Sequence, residues 1–80
     1  MSDPRPLFSK DPQSETYEYN EPTDPNFVVR VQRNGTGRWS ATVSTYGAAA
    51  KVTQRRTKVA AMLEGLKMLE LLMYKISLEP

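Results

Sequence analysis

Hydrophobic residues recur at two different spacings in this chain of 80 residues. They alternate with polar residues over 27–32 and again over 38–46, which is typical of half-buried strands. From Thr57 onward they recur every three to four residues, as on one face of a helix that packs against a sheet. The pattern predicts an α+β fold in which an antiparallel sheet packs on one C-terminal helix.

Residues 34–37, which include two glycines, separate the first two predicted strands. Directly opposed residues of a hairpin share a face of the sheet. A common hydrophobic face therefore pairs Val31 with Trp39 and Val29 with Ala41. This register predicts a three-residue loop with a glycine bulge.

The segment that follows the second strand permits two structures. Tyr46-Gly47 is a turn signal, and a third strand would then pair Val52 with Ala41. Three consecutive alanines are nevertheless good helix formers, so a longer helix is the alternative for residues 48–56. We expect the strand, which makes the sheet three-stranded.

The predicted helix is more hydrophobic than one packing face requires. Thr53 or Thr57 can cap its start, and Pro80 follows its end. Its main stripe comprises Val59, Met62, Leu63, Leu66, Leu69, Met73 and Ile76. Three more hydrophobic residues lie off this stripe: Met68, Leu71 and Leu72. Because such a patch is typical of an interface, we expect a homodimer through the C-terminal helix. The alternative is an N-terminal segment that folds back over the patch.

The net charge of +2 conceals a division along the chain. Residues 1–25 carry six acids, two bases and five of the six prolines, a net charge of −4. Residues 26–80 carry nine bases and three acids, a net +6, and residues 26–58 hold seven bases and no acid. We expect a mostly disordered acidic arm over 1–25 and a β-β-β-α domain over 26–80. Alternating polar and aromatic residues over 15–21 are also compatible with an edge strand or a linear motif.

The basic run predicts a surface that binds a polyanion. In the expected register, arginine and lysine lie among small hydroxyl residues on the outer sheet face, and bases also stand where the helix begins. We expect phosphate contacts from Arg30, Arg38, Lys51, Arg55, Arg56 and Lys58. Because Trp39 is assigned to the core and few aromatic residues remain for stacking, a nucleic-acid duplex is favoured over a single strand. An acidic protein partner and a merely solubilising surface are the alternatives.

Two nucleic-acid-binding families resemble parts of this pattern. Three strands and a helix over 27–74, with a basic outer face, resemble the small sheet modules of integrase arm-binding domains and plant AP2-type domains, which enter the DNA major groove. Residues 55–61, Arg-Arg-Thr-Lys-Val-Ala-Ala, are similar to the start of the last helix of a double-stranded RNA-binding domain. That resemblance implies phosphate contacts for Arg55, Arg56 and Lys58. The arm, however, shows no helical pattern where that family has its first helix.

A different class of function fits the same chain. Its short length, lack of cysteine, sheet-and-helix body and charged arm resemble phage and plasmid proteins that inhibit host defence or transcription machinery, including anti-CRISPR proteins. The resemblance implies an inhibitor that binds a host protein or nucleoprotein complex and blocks its nucleic-acid site.

Catalysis and cofactors are not expected. The chain has no histidine and no cysteine, residues 26–80 contain only three acids, and no phosphate-loop or calcium-loop spacing occurs. We therefore expect a protein that is not an enzyme and holds no metal or other cofactor. No stretch approaches the roughly 20 apolar residues of a membrane span, and the N-terminus lacks the apolar run of a signal peptide. These features predict a cytoplasmic protein without membrane contact.

Overall fold

Five antiparallel strands and one long helix make up the fold. The computed structural model describes residues 3–45 and 48–78, and for residues 48–52 and 76–78 it describes the backbone alone. A 3-10 turn at Arg5–Leu7 precedes β1 (Ser9–Lys10), β2 (Thr16–Asn20), β3 (Phe27–Arg33), β4 (Trp39–Thr45), β5 (Ala48–Arg55) and α1 (Lys58–Leu78). The strands lie in sequence order, β1-β2-β3-β4-β5. The predicted α+β class is confirmed, while the predicted turn at Tyr46-Gly47 and the final Pro80 lie outside the described residues.

The sheet has five strands, so the prediction of three is wrong. Both additional strands come from the N-terminal segment, and β2 pairs with β3 over its full length. Tyr17 and Tyr19 of β2 pack against the core, where Phe8 is 9% exposed and its ring lies 5.9 Å from that of Tyr19. Burial of these aromatic side chains favours the ordering of a segment whose acids and prolines had predicted disorder. The expected disorder is thus wrong for β1 and β2.

The β3–β4 hairpin has the predicted faces and a different register. Val29 pairs with Val43 and Val31 with Ala41, so each β3 residue lies opposite a β4 residue two positions further along than expected. A shift of two residues keeps every side chain on its own face of the sheet. All four side chains are fully buried, which confirms the predicted core face.

The loop between these strands explains the shift. Asn34 Oδ1 accepts hydrogen bonds from the backbone N–H groups of Thr36 at 3.0 Å and Arg38 at 3.1 Å. The N–H of Asn34 in turn donates to the carbonyl of Arg38 at 2.8 Å. Gly37, with a φ of 83°, supplies the left-handed residue of the bulged loop. The three-residue loop is therefore 35–37, and the asparagine side chain holds it closed.

β5 occupies the segment for which a longer helix was the alternative, and it pairs in a register different from the prediction. Thr53 lies opposite Ala41, and Val52 lies opposite Thr42 on the outer face. The predicted pairing of Val52 with Ala41 is therefore wrong by one residue, which exchanges the two faces of the strand. A bulge between Val43 and Ser44 then shifts the register by one residue, so that Ser44 pairs with Ala49 and Thr45 with Ala48.

The helix begins directly after Thr57, one of its two predicted caps. The Thr57 hydroxyl accepts a hydrogen bond from the N–H of Ala60 at 3.1 Å, and the Thr57 carbonyl accepts one from the N–H of Ala61 at 3.0 Å. Thr57 is therefore the N-cap. The other candidate, Thr53, lies within β5.

Two small residues, Ala61 and Gly65, lie in the face of α1 that packs on the sheet. Ala61 and Met62 are fully buried, and a Cβ atom added to Gly65 would lie 2.5 Å from Cγ1 of Val29. The missing side chain lets the helix backbone approach β3 closely. The predicted stripe was drawn through large hydrophobic residues alone and omitted Ala61 and Gly65, so it misplaced this face.

Because the packing face of α1 differs from the predicted stripe, the surface expected for a dimer also changes. Met68 and Leu72, expected to lie off the packing stripe, are half-buried against the core. Leu71 is 60% exposed, and Tyr74, one turn further on, is 64% exposed. Of the three predicted interface residues, Leu71 alone is mainly exposed.

Candidate nucleic-acid interface

The outer face of the sheet was predicted to be basic and is nearly neutral. Even-numbered positions of β2 to β4 form it, and most are polar: Thr16, Glu18, Asn20, Arg30, Gln32, Ser40, Thr42 and Ser44. Where the structure describes the side chains of these three strands, Glu18 and Arg30 are the charged residues on this face. They pair with each other, at 3.0 Å between Arg30 Nη2 and Glu18 Oε2. The predicted mixture of several cations with small hydroxyl residues on this face is therefore wrong.

Two features of the pairing explain why the outer face is not basic. The register of β5 places Lys51 opposite Val43 and Arg55 opposite Trp39, at positions of the helix-side face. The added strand β2 also brings an acid directly opposite Arg30. Cross-strand neighbours of opposite charge stabilise a sheet modestly, so the N-terminal segment neutralises the charge of Arg30 on this face.

Most of the predicted cations gather instead at one end of the sheet, where α1 begins. Trp39 lies between Arg33 of β3 and Arg55 of β5 in the register. Three more cations lie next to this row in sequence: Arg38 in the β3–β4 loop, Arg56 directly after β5, and Lys58 at the first position of α1. We call this set the basic end: Arg33, Arg38, Arg55, Arg56 and Lys58.

In the part of the chain that the structure describes, two carboxylates contact the basic end, and both contacts are at the surface. Arg55 Nη2 lies 3.0 Å from Glu64 Oε1 of α1, and Arg33 Nη1 lies 4.0 Å from Glu15 Oε2. The side chains of Arg33 and Glu15 are 55% and 56% exposed. Exposed pairs of this kind contribute about 0–1 kcal/mol. An incoming phosphate can therefore replace either carboxylate at little cost.

The remaining arginines of the basic end carry unneutralised charge. Arg38 and Arg56 are exposed, and within residues 3–45 and 48–78 neither has a carboxylate within 4.0 Å. Counted over the described residues, five cations against two carboxylates leave a local excess of three positive charges. The N-terminus of α1 lies in the same place, and its dipole adds to the positive potential.

An aromatic pair supports the basic end from the core side. The rings of Tyr17 and Trp39 are 6.1 Å apart. Lys58 Nζ lies 4.6 Å from the centre of the Tyr17 ring and donates a hydrogen bond to its hydroxyl at 3.3 Å. This cation–π contact orders the lysine. Because Trp39 is half-buried in the same packing, its ring is not presented to unstacked bases.

The basic end contains four of the six residues predicted to contact phosphate: Arg38, Arg55, Arg56 and Lys58. Arg30 lies apart from them on the outer face, and the side chain of Lys51 lies outside the described residues. The prediction missed Arg33. Its signal was its odd position, shared with Val29 and Val31, which assigns it to the helix side of the sheet.

Comparisons with protein families, curated proteins and solved structures find no match to this chain. No helix in the described part of the chain has the length and hydropathy needed to cross a membrane. Over the same residues, no three acidic, histidine or cysteine side chains cluster as ligands for a metal ion. Inference about function therefore starts from the basic end itself.

Proposed function

We propose that the protein is a non-enzymatic binding protein whose basic end contacts the phosphates of a nucleic-acid duplex. The observation that carries the proposal is the excess of three positive charges at one end of the sheet. Four of the five cations there are arginines, whose planar guanidinium groups bind phosphate through two parallel hydrogen bonds.

A duplex is favoured over a single strand because the basic end offers charge without a stacking platform. Proteins that bind single strands combine a basic groove with exposed aromatic rings. Here Trp39 and Tyr17 pack against the core, and Lys58 lies over the tyrosine ring. Phosphate contact is what remains, and a duplex presents phosphates at the highest density.

Fluorescence anisotropy against short duplex DNA, duplex RNA and single strands at several salt concentrations tests the proposal. We expect the logarithm of the duplex affinity to fall with the logarithm of salt concentration, with a slope of about 3 to 4 in magnitude. The double variant Arg38→Gln/Arg56→Gln should reduce that slope by about 2, because it removes two phosphate contacts.

A charge-matched control separates this surface from net charge. Lys67 and Lys75 are exposed cations of α1 outside the basic end, so Lys67→Gln/Lys75→Gln removes the same charge elsewhere. We expect this control to keep the slope of the unmodified protein. Equal losses in the two double variants, or no binding at low salt, would contradict the proposal.

The second candidate function is an inhibitor that binds a host protein or nucleoprotein complex and blocks its nucleic-acid site. Leu71 and Tyr74 favour it, because two large exposed side chains one turn apart on α1 suit contact with another protein. If the basic end binds no nucleic acid, capture of a partner that is lost with Leu71→Lys would favour this candidate.

The homodimer through Met68, Leu71 and Leu72 stays a prediction. Sedimentation equilibrium of the unmodified protein and of Leu71→Lys tests it, since a lysine at the centre of an apolar contact weakens association strongly. We expect a dimer in the micromolar range that the substitution dissociates. Monomers in both samples would end the dimer hypothesis.

A further inference from the structure

The two edges of the sheet are built differently. β1, at one edge, has two residues and is followed within the chain by Pro12. β5, at the other edge, has eight residues and no proline. In the described chain, β4 is the only strand that pairs with β5. A long edge strand presents unpaired N–H and C=O groups to an incoming strand, whereas a two-residue strand does not.

The second half of β5 is regular enough to act as a template. Residues 51–55 pair one to one with residues 39–43 of β4, and the bulge comes after Val43. Hydrogen-bonding groups on the free side of residues 51–55 therefore have the regular spacing of a strand. Five residues are also the length of β2, which the same sheet already accommodates.

Charge decides what kind of strand this edge accepts. β5 contains Lys51 and Arg55, Arg56 follows, and no acid occurs between residues 26 and 63. In an antiparallel pairing of two β5 strands about Thr53, Lys51 of each copy would lie opposite Arg55 of the other. Like charges directly opposite each other destabilise a sheet, so the edge disfavours a second copy and favours an acidic strand.

We propose that β5 binds an extended acidic segment of a partner protein by antiparallel strand addition. When one residue of that segment lies opposite Thr53, the residues two before and two after it lie opposite Arg55 and Lys51. Carboxylates at those positions fit the two cations. Arg55 already holds Glu64 at 3.0 Å, and a guanidinium can bind two carboxylates through different N–H groups. The residue opposite Val52 is on the outer face and is best apolar and β-branched.

Titration of the ¹⁵N-labelled full chain with the peptide Ser-Thr-Glu-Val-Thr-Val-Glu-Thr-Ser tests the proposal by NMR. Its glutamates are spaced to face Lys51 and Arg55. We expect chemical-shift changes in the β5 amides and, for those on the free side, hydrogen exchange slowed by at least about tenfold, because each gains a hydrogen bond. A peptide with lysine in place of glutamate should not bind, because it repeats the unfavourable charge of β5.

The decisive control is the same acidic peptide with N-methyl groups on alternate residues, which keeps the carboxylates and removes backbone donors. We expect it to bind at least about tenfold more weakly. Equal binding of both peptides would mean charge attraction without strand addition, and shifts confined to Arg38 and Arg56 would mean binding at the basic end alone. Either result overturns the proposal, as would a β5–β5 dimer. The variant Arg38→Gln/Arg56→Gln keeps Lys51 and Arg55, the two cations that the peptide's glutamates face, so most of the peptide binding should remain. This test and the duplex test therefore fail separately.

Discussion

The outer sheet face and the basic end draw their cations from the same acid-free run of residues, yet their charges differ. On the outer face Arg30 meets Glu18 at 3.0 Å, whereas at the basic end Arg38 and Arg56 meet no carboxylate among the described residues. On the outer face this carboxylate comes from β2, which places Glu18 directly opposite Arg30. Strand register therefore decides whether a basic segment becomes a basic surface.

The largest expected effect is a loss of stability when the packing of α1 against the sheet, which supports both regions, is disturbed. Valine at position 65 would place its Cβ 2.5 Å from Cγ1 of Val29, so α1 must move away from β3. We expect Gly65→Val to lower the free energy of unfolding by about 3 kcal/mol, measured by urea denaturation.

Gly35 provides the matched control for that substitution. A Cβ atom there meets nothing within 4 Å, so Gly35→Val should change the free energy of unfolding by less than about 1 kcal/mol. Similar losses in the two variants would show that the close approach of helix and sheet is not what requires glycine at position 65.

The next effect weakens the basic end and leaves the outer face intact. Thr57→Ala removes the hydroxyl that accepts the Ala60 N–H at the start of α1. We expect a loss of about 1 kcal/mol in the free energy of unfolding and faster hydrogen exchange in the first helical turn. Thr57→Ser keeps the hydroxyl and should keep most of the stability. A serine variant as unstable as the alanine variant would argue against capping.

A smaller effect, on duplex affinity, is expected when an arginine of the outer face is left unpaired like those of the basic end. Glu18→Gln leaves Arg30 without its carboxylate, so we expect duplex affinity to rise about threefold and the salt slope to grow by about 1 in magnitude. Anisotropy titrations measure both quantities. Glu70→Gln removes the same charge from an exposed position on α1 and should change them less. Equal gains would mean that net charge alone is responsible.

For the effect of acidic residues on duplex binding, substitution is a sharper test than deletion of the acidic arm. Deleting residues 1–24 would remove β1 and β2 together with Tyr17 and Tyr19, which pack against the core. A change in duplex affinity would then combine lost charge with lost structure. Glu18→Gln changes the charge and keeps the strand.

The smallest expected effect is a pH dependence of stability that arises from Tyr19, whose hydroxyl contacts Glu21 of the N-terminal segment. Burial raises the pKa of Tyr19 above its ordinary value of 10.0, and the hydrogen bond that Tyr19 donates to Glu21 at 3.1 Å raises it further. The folded state therefore holds this proton more tightly than the unfolded state. The resulting stability is present below pH 10 and is lost as the pH rises through the pKa of the folded state.

Tyr19→Phe removes this titration. Above a pH of about 10, we expect the unmodified protein to lose stability more steeply than the variant, measured by urea denaturation at a series of pH values. Because the two proteins differ at position 19 alone, the difference between their stabilities isolates this hydroxyl. Parallel losses in the two proteins would show that Tyr19 is not held in its neutral form.

Local patterns predicted the parts of the fold that depend on neighbours in sequence. Alternation of hydrophobic residues identified the strands of the body and the buried face of β3 and β4, where Val29, Val31, Ala41 and Val43 have no exposed area. Thr57, one of the two predicted caps, is the one that caps the start of α1. These features follow from side-chain periodicity and from the free N–H groups of a helix start, which act over a few residues.

Register and the N-terminal strands could not be predicted in the same way. Asn34 shifts the hairpin by two residues through hydrogen bonds to loop N–H groups, and the one-residue shift of β5 moves Arg55 to the helix side. The aromatic residues of β2 gain order only by packing on a core that other segments build. Each outcome depends on contacts between residues distant in sequence, whose free energies are small and comparable among competing registers.

The sequence by itself determined the class of fold, the positions of the main strands and helix, and the concentration of positive charge in residues 26–58. Tertiary structure alone decided which of those charges remain exposed and unpaired. It did so because a cation's electrostatic environment is set by the groups within a few ångströms of it, and Glu18, Glu15 and Glu64 reach their arginines only when the sheet and helix assemble.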